Sequence, residues 1–256
     1  MERSAARAVD TYYRVLRWPY QLESDARGDQ QFWAHLAARF AGGRVLELGA
    51  GQGRVTELLA ATASEVVALD ISPAMLRVAR HRLAAWPNVR LLLADMAVLA
   101  LHQRFLLIVA ANDPWSHLLD PALRRAALRR AAAHLVPGGH LVLDALWFNP
   151  TALAAKLPPA GEWSERVLAT HQGRLHVRAH WRCQLERQEC EATYSYHWAS
   201  GWAMTSFRAR YWLAAELSQE LTQAGLVEVA RWGDYHFTPW HPDRSPHLIV
   251  EAYRPP

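Results

Sequence analysis

The chain has 256 residues, of which 51% are hydrophobic and 20% are charged. This length and composition are typical of one large α/β domain, alone or with a modest insertion, and no apolar run approaches the roughly 20 residues of a transmembrane helix. The formal net charge is +4. It comes almost entirely from arginines scattered along the chain, whereas a nucleic-acid surface would concentrate them.

The N-terminal stretch and the two cysteines give expectations about the cellular compartment. Residues 1–17 contain four arginines, but also Glu2 and Asp10 and no apolar segment. We therefore expect an amphipathic helix of the fold rather than a targeting peptide, and a cytoplasmic protein. Cys183 and Cys190 fit neither a zinc motif nor a disulfide framework, so we expect two reduced thiols. No cluster of Asp, Glu and His has the spacing of a metal site.

Two segments with helical spacing, 5–17 and about 30–40, precede the first predicted strand. Because they come before the sheet begins, they can only cap or cover a site that later residues make. We therefore predict that residues 1–41 form N-terminal lid helices.

The stretch 43–56 organises the rest of the sequence. Val45, Leu46 and Leu48 form a short apolar strand that runs into three glycines at alternate positions, and a helix is predicted to start near Arg54. Glycines at these positions let the backbone turn sharply and approach a ligand closely. The start of the helix favours a negatively charged group above the strand.

The identity of that ligand depends on two positions. The dinucleotide fingerprint G-x-G-x-x-G requires a glycine at position 54, where this chain has arginine. Glu47 would repel a pyrophosphate but suits a ligand that carries an ammonium or sulfonium together with a carboxylate. We predict a binding turn for such a ligand, formed by Glu47, Gly49, Ala50, Gly51 and Gly53.

This E-x-G-x-G-x-G spacing resembles motif I of the class I S-adenosylmethionine (SAM)-dependent methyltransferases. The resemblance implies SAM as cofactor and S-adenosylhomocysteine (SAH) as product. It also implies that Tyr13 and Tyr20 of the lid reach the methionine carboxylate of the cofactor.

The next two strands add cofactor candidates. Strand 65–70 ends in Asp70, which lies 19 residues after Gly51, where an α/β nucleoside site places an acid for the ribose hydroxyls. Leu-Asp-Ile-Ser-Pro-Ala-Met-Leu resembles the second motif of the family, which implies that Ile71 and Met75 contact the adenine. By the same resemblance, Asp95 at the end of strand 89–94 accepts from the adenine amine and Met96 flanks the ring.

Strand 105–111 opens into the loop Asn-Asp-Pro-Trp-Ser-His, at the sheet edge where ligands bind. Asn112 is assigned to the cofactor. The loop has three of the four residues of the Asn-Pro-Pro-aromatic motif of methyltransferases that act on planar amines, but Asp113 replaces the first proline. The following Ser-His-Leu resembles the small-molecule branch of the family instead.

The remaining elements predict the fold class: an α/β, Rossmann-like, doubly wound seven-stranded sheet whose last strand is antiparallel, with an antiparallel β insertion after strand 5. A helix at 119–135 with outward arginines leads to strand 140–146. Polar and apolar residues then alternate as in a meander. We assign 42–149 and 213–256 to the SAM-binding domain and 150–212 to an inserted sheet that covers the substrate or forms a dimer face.

The predicted function is transfer of the SAM methyl group to an N, O or C nucleophile of a small molecule by in-line displacement. His117 and His236 are the candidate bases, and the predicted pocket walls are Trp115, Trp147, Phe148 and Trp240. Three alternatives stay open: methylation of a planar amine in nucleic acid or protein through residues 112–115, non-catalytic binding of SAM or a nucleoside, and an NAD(P) oxidoreductase. The expected partner is a small-molecule acceptor rather than a membrane or a nucleic acid, and a homodimer stays open as an alternative to a substrate cover.

Overall fold

The computed structural model describes residues 28–145, 163–170 and 173–256, which form a seven-stranded sheet and a separate four-stranded sheet. The core strands are β1 (Arg44–Leu48), β2 (Glu65–Asp70), β3 (Val89–Leu93), β4 (Phe105–Ala110), β5 (Leu135–Ala145), β10 (Val227–Trp232) and β11 (Leu248–Tyr253). The inserted sheet contains β6 (Ser164–Thr170), β7 (Gly173–Gln184), β8 (Glu189–Trp198) and β9 (Gly201–Arg210). The helices are α1 (Gln30–Arg39), α2 (Arg54–Ala60), α3 (Pro73–Arg82), α4 (Pro121–His134) and α5 (Ala214–Gln223).

The core sheet has the strand order β10-β11-β5-β4-β1-β2-β3. All neighbours pair in parallel except β11, which is antiparallel to both β5 and β10. The predicted fold class is therefore confirmed. The chain order reverses between β1 and β4, so the carboxyl ends of these two strands flank the crevice where open α/β sheets bind ligands.

Local signals explain where the helices begin. Ser72 caps α3, its side chain accepts from the Met75 amide, and Pro73 occupies the first helical position. Asp120 and Pro121 begin α4 in the same way. Both ends of α4 lie inside the predicted limits, but the expectation that its arginines point outward is wrong for Arg124, which is 1% exposed.

The inserted sheet is an antiparallel meander in chain order. Cys183 of β7 lies directly opposite Cys190 of β8, with 4.1 Å between their Cα atoms, and the two form a disulfide. The expectation of two reduced thiols is thus wrong, because the register of the hairpin brings together cysteines that are seven residues apart in sequence. The limits of the predicted lid, SAM-binding and inserted regions stay a prediction.

A buried ion pair fastens α1 to the glycine-rich turn. The Arg54 guanidinium donates to both carboxylate oxygens of Asp29, at 2.6 and 2.7 Å, and the Trp33 indole N–H donates to the same carboxylate at 3.0 Å. Asp29 is fully buried and Arg54 nearly so. The arginine that excludes the dinucleotide fingerprint therefore has a structural role as well.

We expect Arg54→Met to lower the free energy of unfolding by about 3 kcal/mol, because it leaves the buried Asp29 charge without its cation. Arg44→Met is the matched control, since Arg44 is mostly exposed and lies 3.9 Å from Glu65. The control should cost less than about 1 kcal/mol. Urea unfolding of both variants would measure the difference, and equal losses would contradict the assigned role.

Candidate functional site

The turn after β1, residues 49–53, is called the glycine turn below. Its three glycines lie in the left-handed region, with φ of 74° at Gly49, 55° at Gly51 and 81° at Gly53. A Cβ on Gly49 would lie 2.3 Å from Pro114 Cβ, and one on Gly53 would lie 2.7 Å from a Leu83 methyl carbon. A Cβ on Gly51 would meet no atom within 4 Å. The first and third glycines thus serve packing, whereas Gly51 leaves open space beside the backbone.

Asp70 connects this turn with the end of β2. Its carboxylate accepts from the Gly51 amide and from the Ser72 amide, each at 2.8 Å. The Gly49 and Ala50 amides both donate to the Leu69 carbonyl. The acid that the spacing assigned to a ribose therefore lies next to the open space at Gly51.

Glu47 lies beneath the turn rather than at its surface. It is 2% exposed and accepts from the Thr56 hydroxyl of α2. Burial raises the pKa of its carboxyl to about 8, against smaller lowering effects of the Thr56 hydrogen bond and the Arg54 charge. The group is thus largely protonated at neutral pH, and its observed contact is structural.

The adenine-side candidates lie at the carboxyl ends of β2 and β3. Ile71 is half-buried, whereas Met75 is fully buried in α3. The half-buried Asp95 uses one oxygen to accept from the Ala97 amide, and Met96 follows it in a short 3-10 turn. Tyr13, Tyr20, Trp147 and Phe148 lie outside the described residues.

The loop after β4, residues 112–117, is called the β4 turn below. Asn112 and Asp113 both have positive φ, 60° and 50°. Proline cannot adopt such an angle, since its ring fixes φ near −65°. The backbone at position 113 therefore differs from that of an Asn-Pro-Pro-aromatic motif, which speaks against the planar-amine alternative.

The candidate bases differ in environment. His117 ends the β4 turn, its ring centroid is 5.5 Å from that of Phe207 on β9, and burial lowers its pKa to about 4. His236 is exposed on the loop between β10 and β11. His117 thus contacts the inserted sheet, whereas His236 faces solvent.

The two predicted wall residues that can be placed lie in or against the core. Trp115 is 2% exposed, and its indole N–H donates to the Arg124 carbonyl at 3.5 Å. Trp240 is partly buried and packs against the hydrophobic core cluster that contains Trp115. In the inserted sheet, Phe207 stacks on Tyr194 and meets Trp181 edge-on.

Comparison with known proteins adds a sequence family and relatives of known structure. Residues 45–139 match the family described as a methyltransferase domain. The chain is 34% identical over 130 residues to a ubiquinone biosynthesis O-methyltransferase of Xanthomonas axonopodis pv. citri (strain 306). That match spans 50% of this chain and 53% of the relative, so the chain spans about half of that enzyme's length.

Two solved structures resemble nearly the whole chain. The CcbJ methyltransferase from Streptomyces caelestis superposes with a TM-score of 0.78 at 27% identity, covering 90% of this chain and 91% of its own. CalS10, an amino pentose methyltransferase from Micromonospora echinaspora solved with SAM bound, superposes with a TM-score of 0.72 at 25% identity. The superposition covers 94% of this chain and 96% of CalS10. The match at 45–139 identifies a methyltransferase domain in this chain, and nearly the whole chain is similar in structure to methyltransferases, one of them solved with SAM bound. None of these relatives favours the NAD(P), nucleic-acid or non-catalytic alternatives.

The similarity to methyltransferases agrees with the geometry of the turn after β1, because the space beside Gly51 and the carboxylate of Asp70 suit a nucleoside without a pyrophosphate. Sequence reasoning missed three residues that contact the β4 turn: Asp144, Arg124 and Phe207. Asp144 is the penultimate residue of β5, and its Oδ2 accepts from the Asn112 backbone amide and from the Tyr235 hydroxyl. An acid at a strand end was the only available signal, and it was used for Asp70 and Asp95 but not here.

Glu47 should make stability depend on pH. Between the unfolded pKa of 4.5 and the folded pKa of about 8, only the folded state keeps the proton, so stability falls as pH rises through this window. Glu47→Gln does not titrate. Its unfolding free energy relative to the parent should therefore rise by about 1.4 kcal/mol per pH unit at most, and level off above the folded pKa. Urea unfolding at several pH values measures this, and a constant difference would contradict it.

Proposed function

We propose that this protein transfers the methyl group of SAM to a nitrogen of a small-molecule amine, leaving SAH. The bound cofactor supplies an activated methyl on a sulfonium. The residues proposed to hold it are the glycine turn, Asp70 at the ribose, Asp95 and Met96 at the adenine, and Asn112 at the methionine end, with Ile71 and Met75 beside the ring. The observation that carries the proposal is the open space at Gly51 next to the carboxylate of Asp70.

Two observations favour an amine over a phenol or alcohol. A hydroxyl acceptor needs a base matched to its proton. The pKa of His117 is lowered to about 4, so its neutral imidazole is a weak base at neutral pH. A neutral amine needs no base. In addition, the amino pentose methyltransferase superposes on 94% of this chain, including most of the inserted sheet.

The acceptor is proposed to lie between the β4 turn and the inner face of the inserted sheet. Phe207, Tyr194 and Trp181 present half-buried rings on that face, and His117 contacts Phe207. Aromatic rings of this kind suit an acceptor with a flat apolar side. Trp240 and the tryptophan and phenylalanine at 147–148 stay predicted walls, and His236 stays the second candidate base.

The cytoplasmic location and the homodimer stay predictions. No helix among the described ranges combines the length and apolar character that crossing a membrane requires. The Cys183–Cys190 disulfide is of a kind that persists in oxidising compartments. Thiol alkylation in intact cells would therefore test the location directly.

Substitution of Gly51 tests the proposed cofactor site. Gly51→Ala should weaken SAH binding by about tenfold or more, because its Cβ fills the proposed ligand space. Gly225→Ala is the matched control: Gly225 has φ of 78°, a Cβ there meets no atom within 4 Å, and it lies at the end of α5. Both variants carry the same backbone strain, so only Gly51→Ala should change the affinity measured by calorimetry. Equal affinities would contradict the proposed site.

A second prediction concerns the acceptor. Radiolabelled SAM with a panel of amino sugars, simple secondary amines and catechols should label amines. The rate should rise with pH as the amine loses its proton, and His117→Asn should leave the shape of that profile unchanged. Labelling of catechols alone, with activity abolished in His117→Asn, would instead support O-methylation with His117 as base.

A further inference from the structure

The β4 turn is strained at its start. Asn112 and Asp113 are consecutive non-glycine residues in the left-handed region. L-residues rarely adopt this conformation, and surrounding contacts must compensate its cost. The contacts that do so here come from two buried charged residues of opposite sign, one on β5 and one on α4.

Asp144 holds the turn from the β5 side. It is 5% exposed, and its Oδ2 accepts from the Asn112 backbone amide at 3.1 Å and from the Tyr235 hydroxyl at 2.7 Å. The amide that it binds belongs to the first strained residue. Asp144 therefore fixes the point where the chain leaves β4 and joins it to the loop between β10 and β11.

Arg124 holds the turn from the α4 side. Its main-chain carbonyl accepts from the indole of Trp115 in the turn. Its guanidinium donates to the Tyr211 carbonyl at 3.1 Å and lies 3.4 Å from the centroid of the Trp212 ring. Arg124 thus connects the turn to the segment where the chain leaves the inserted sheet.

The position of the turn matters to both sides of the site. Pro114 packs so closely under Gly49 that no Cβ fits between them, and His117 contacts Phe207 of the inserted sheet. A shift of the turn would therefore displace the glycine turn and the acceptor wall together.

We propose that Asp144 and Arg124 are positioning residues that clamp the β4 turn between the glycine turn and the inserted sheet. Removal of the Asp144 side chain loosens the turn and, through Pro114, weakens cofactor binding, whereas removal of the Arg124 side chain first loosens the segment at 211–212 to which the turn is joined. The effect on cofactor binding rests on the proposed function, whereas the effect on the turn does not.

The experiment compares amide hydrogen exchange of peptides covering 111–118, SAH affinity by calorimetry and thermal stability. Asp144→Leu should raise exchange at 111–118 and weaken SAH binding, each by about tenfold, since small displacements in a site have large effects. Asp144→Asn keeps an acceptor oxygen and should restore both to within about twofold. Arg124→Met keeps the carbonyl that binds Trp115, so it should raise exchange near residues 205–212 more than at 111–118.

Two control variants separate positioning from general destabilisation. Glu251→Gln alters a buried carboxylate on β11 that binds Arg39 instead of the turn. Arg125→Met alters the neighbouring arginine, which pairs with Glu220 at 3.5 Å. Both should leave 111–118 exchange and SAH affinity unchanged, whatever they do to stability. If Asp144→Leu does not fold, Tyr235→Phe removes one donor to Asp144 and should give a smaller change in the same direction.

The outcomes are distinguishable. Exchange at 111–118 that rises no more in Asp144→Leu or Tyr235→Phe than in Glu251→Gln would overturn the clamp. So would a failure of Asp144→Asn to restore it. Absence of SAH binding in the parent protein would instead refute the proposed function, and the exchange data would still decide whether the clamp exists.

Discussion

The site depends on the two hydrogen bonds that Asp70 accepts from the Gly51 and Ser72 amides. These bonds fix a turn of three left-handed glycines against the end of β2, so that the open side of Gly51 faces the crevice between β1 and β4. A carboxylate held by two backbone donors keeps a fixed orientation. Local geometry alone therefore presents an acid beside exposed backbone, before any ligand arrives.

Several buried charged groups of this domain tie an irregular segment to a regular element. Asp29 and Arg54 tie α1 to the glycine turn, and Asp144 ties the β4 turn to β5. Arg124 also joins two segments, but two nitrogens of its buried guanidinium, Nε and Nη2, have no hydrogen-bond partner within the described ranges. Burial lowers its pKa to about 10 while nearby carboxylates oppose that shift. Such groups favour one arrangement of the loops rather than maximal stability.

Features that depend on neighbours in sequence could be predicted. The strand before Gly49, the cap at Ser72 and the period of the apolar residues gave the order and type of the elements, because these patterns act within one turn or one strand. The burial of Arg124 could not be predicted, since α4 shows other arginines on its exposed side and the Trp212 ring comes from a segment nearly ninety residues later. The disulfide required the register of β7 and β8, and the link between Asp144 and Tyr235 required two distant loops to meet.

The environment of His117 constrains the chemistry more than its position does. Its place at the carboxyl edge of β4 made it the first candidate base, yet the enclosure that brings it against Phe207 also disfavours its protonated form. A base works best when its pKa is near the pH of the reaction. A neutral imidazole can still accept a hydrogen bond from an amine N–H and so orient the nitrogen lone pair toward the methyl group. The aromatic rings of the inserted sheet and the lowered pKa of His117 therefore both fit an acceptor that arrives already deprotonated and needs orientation rather than activation.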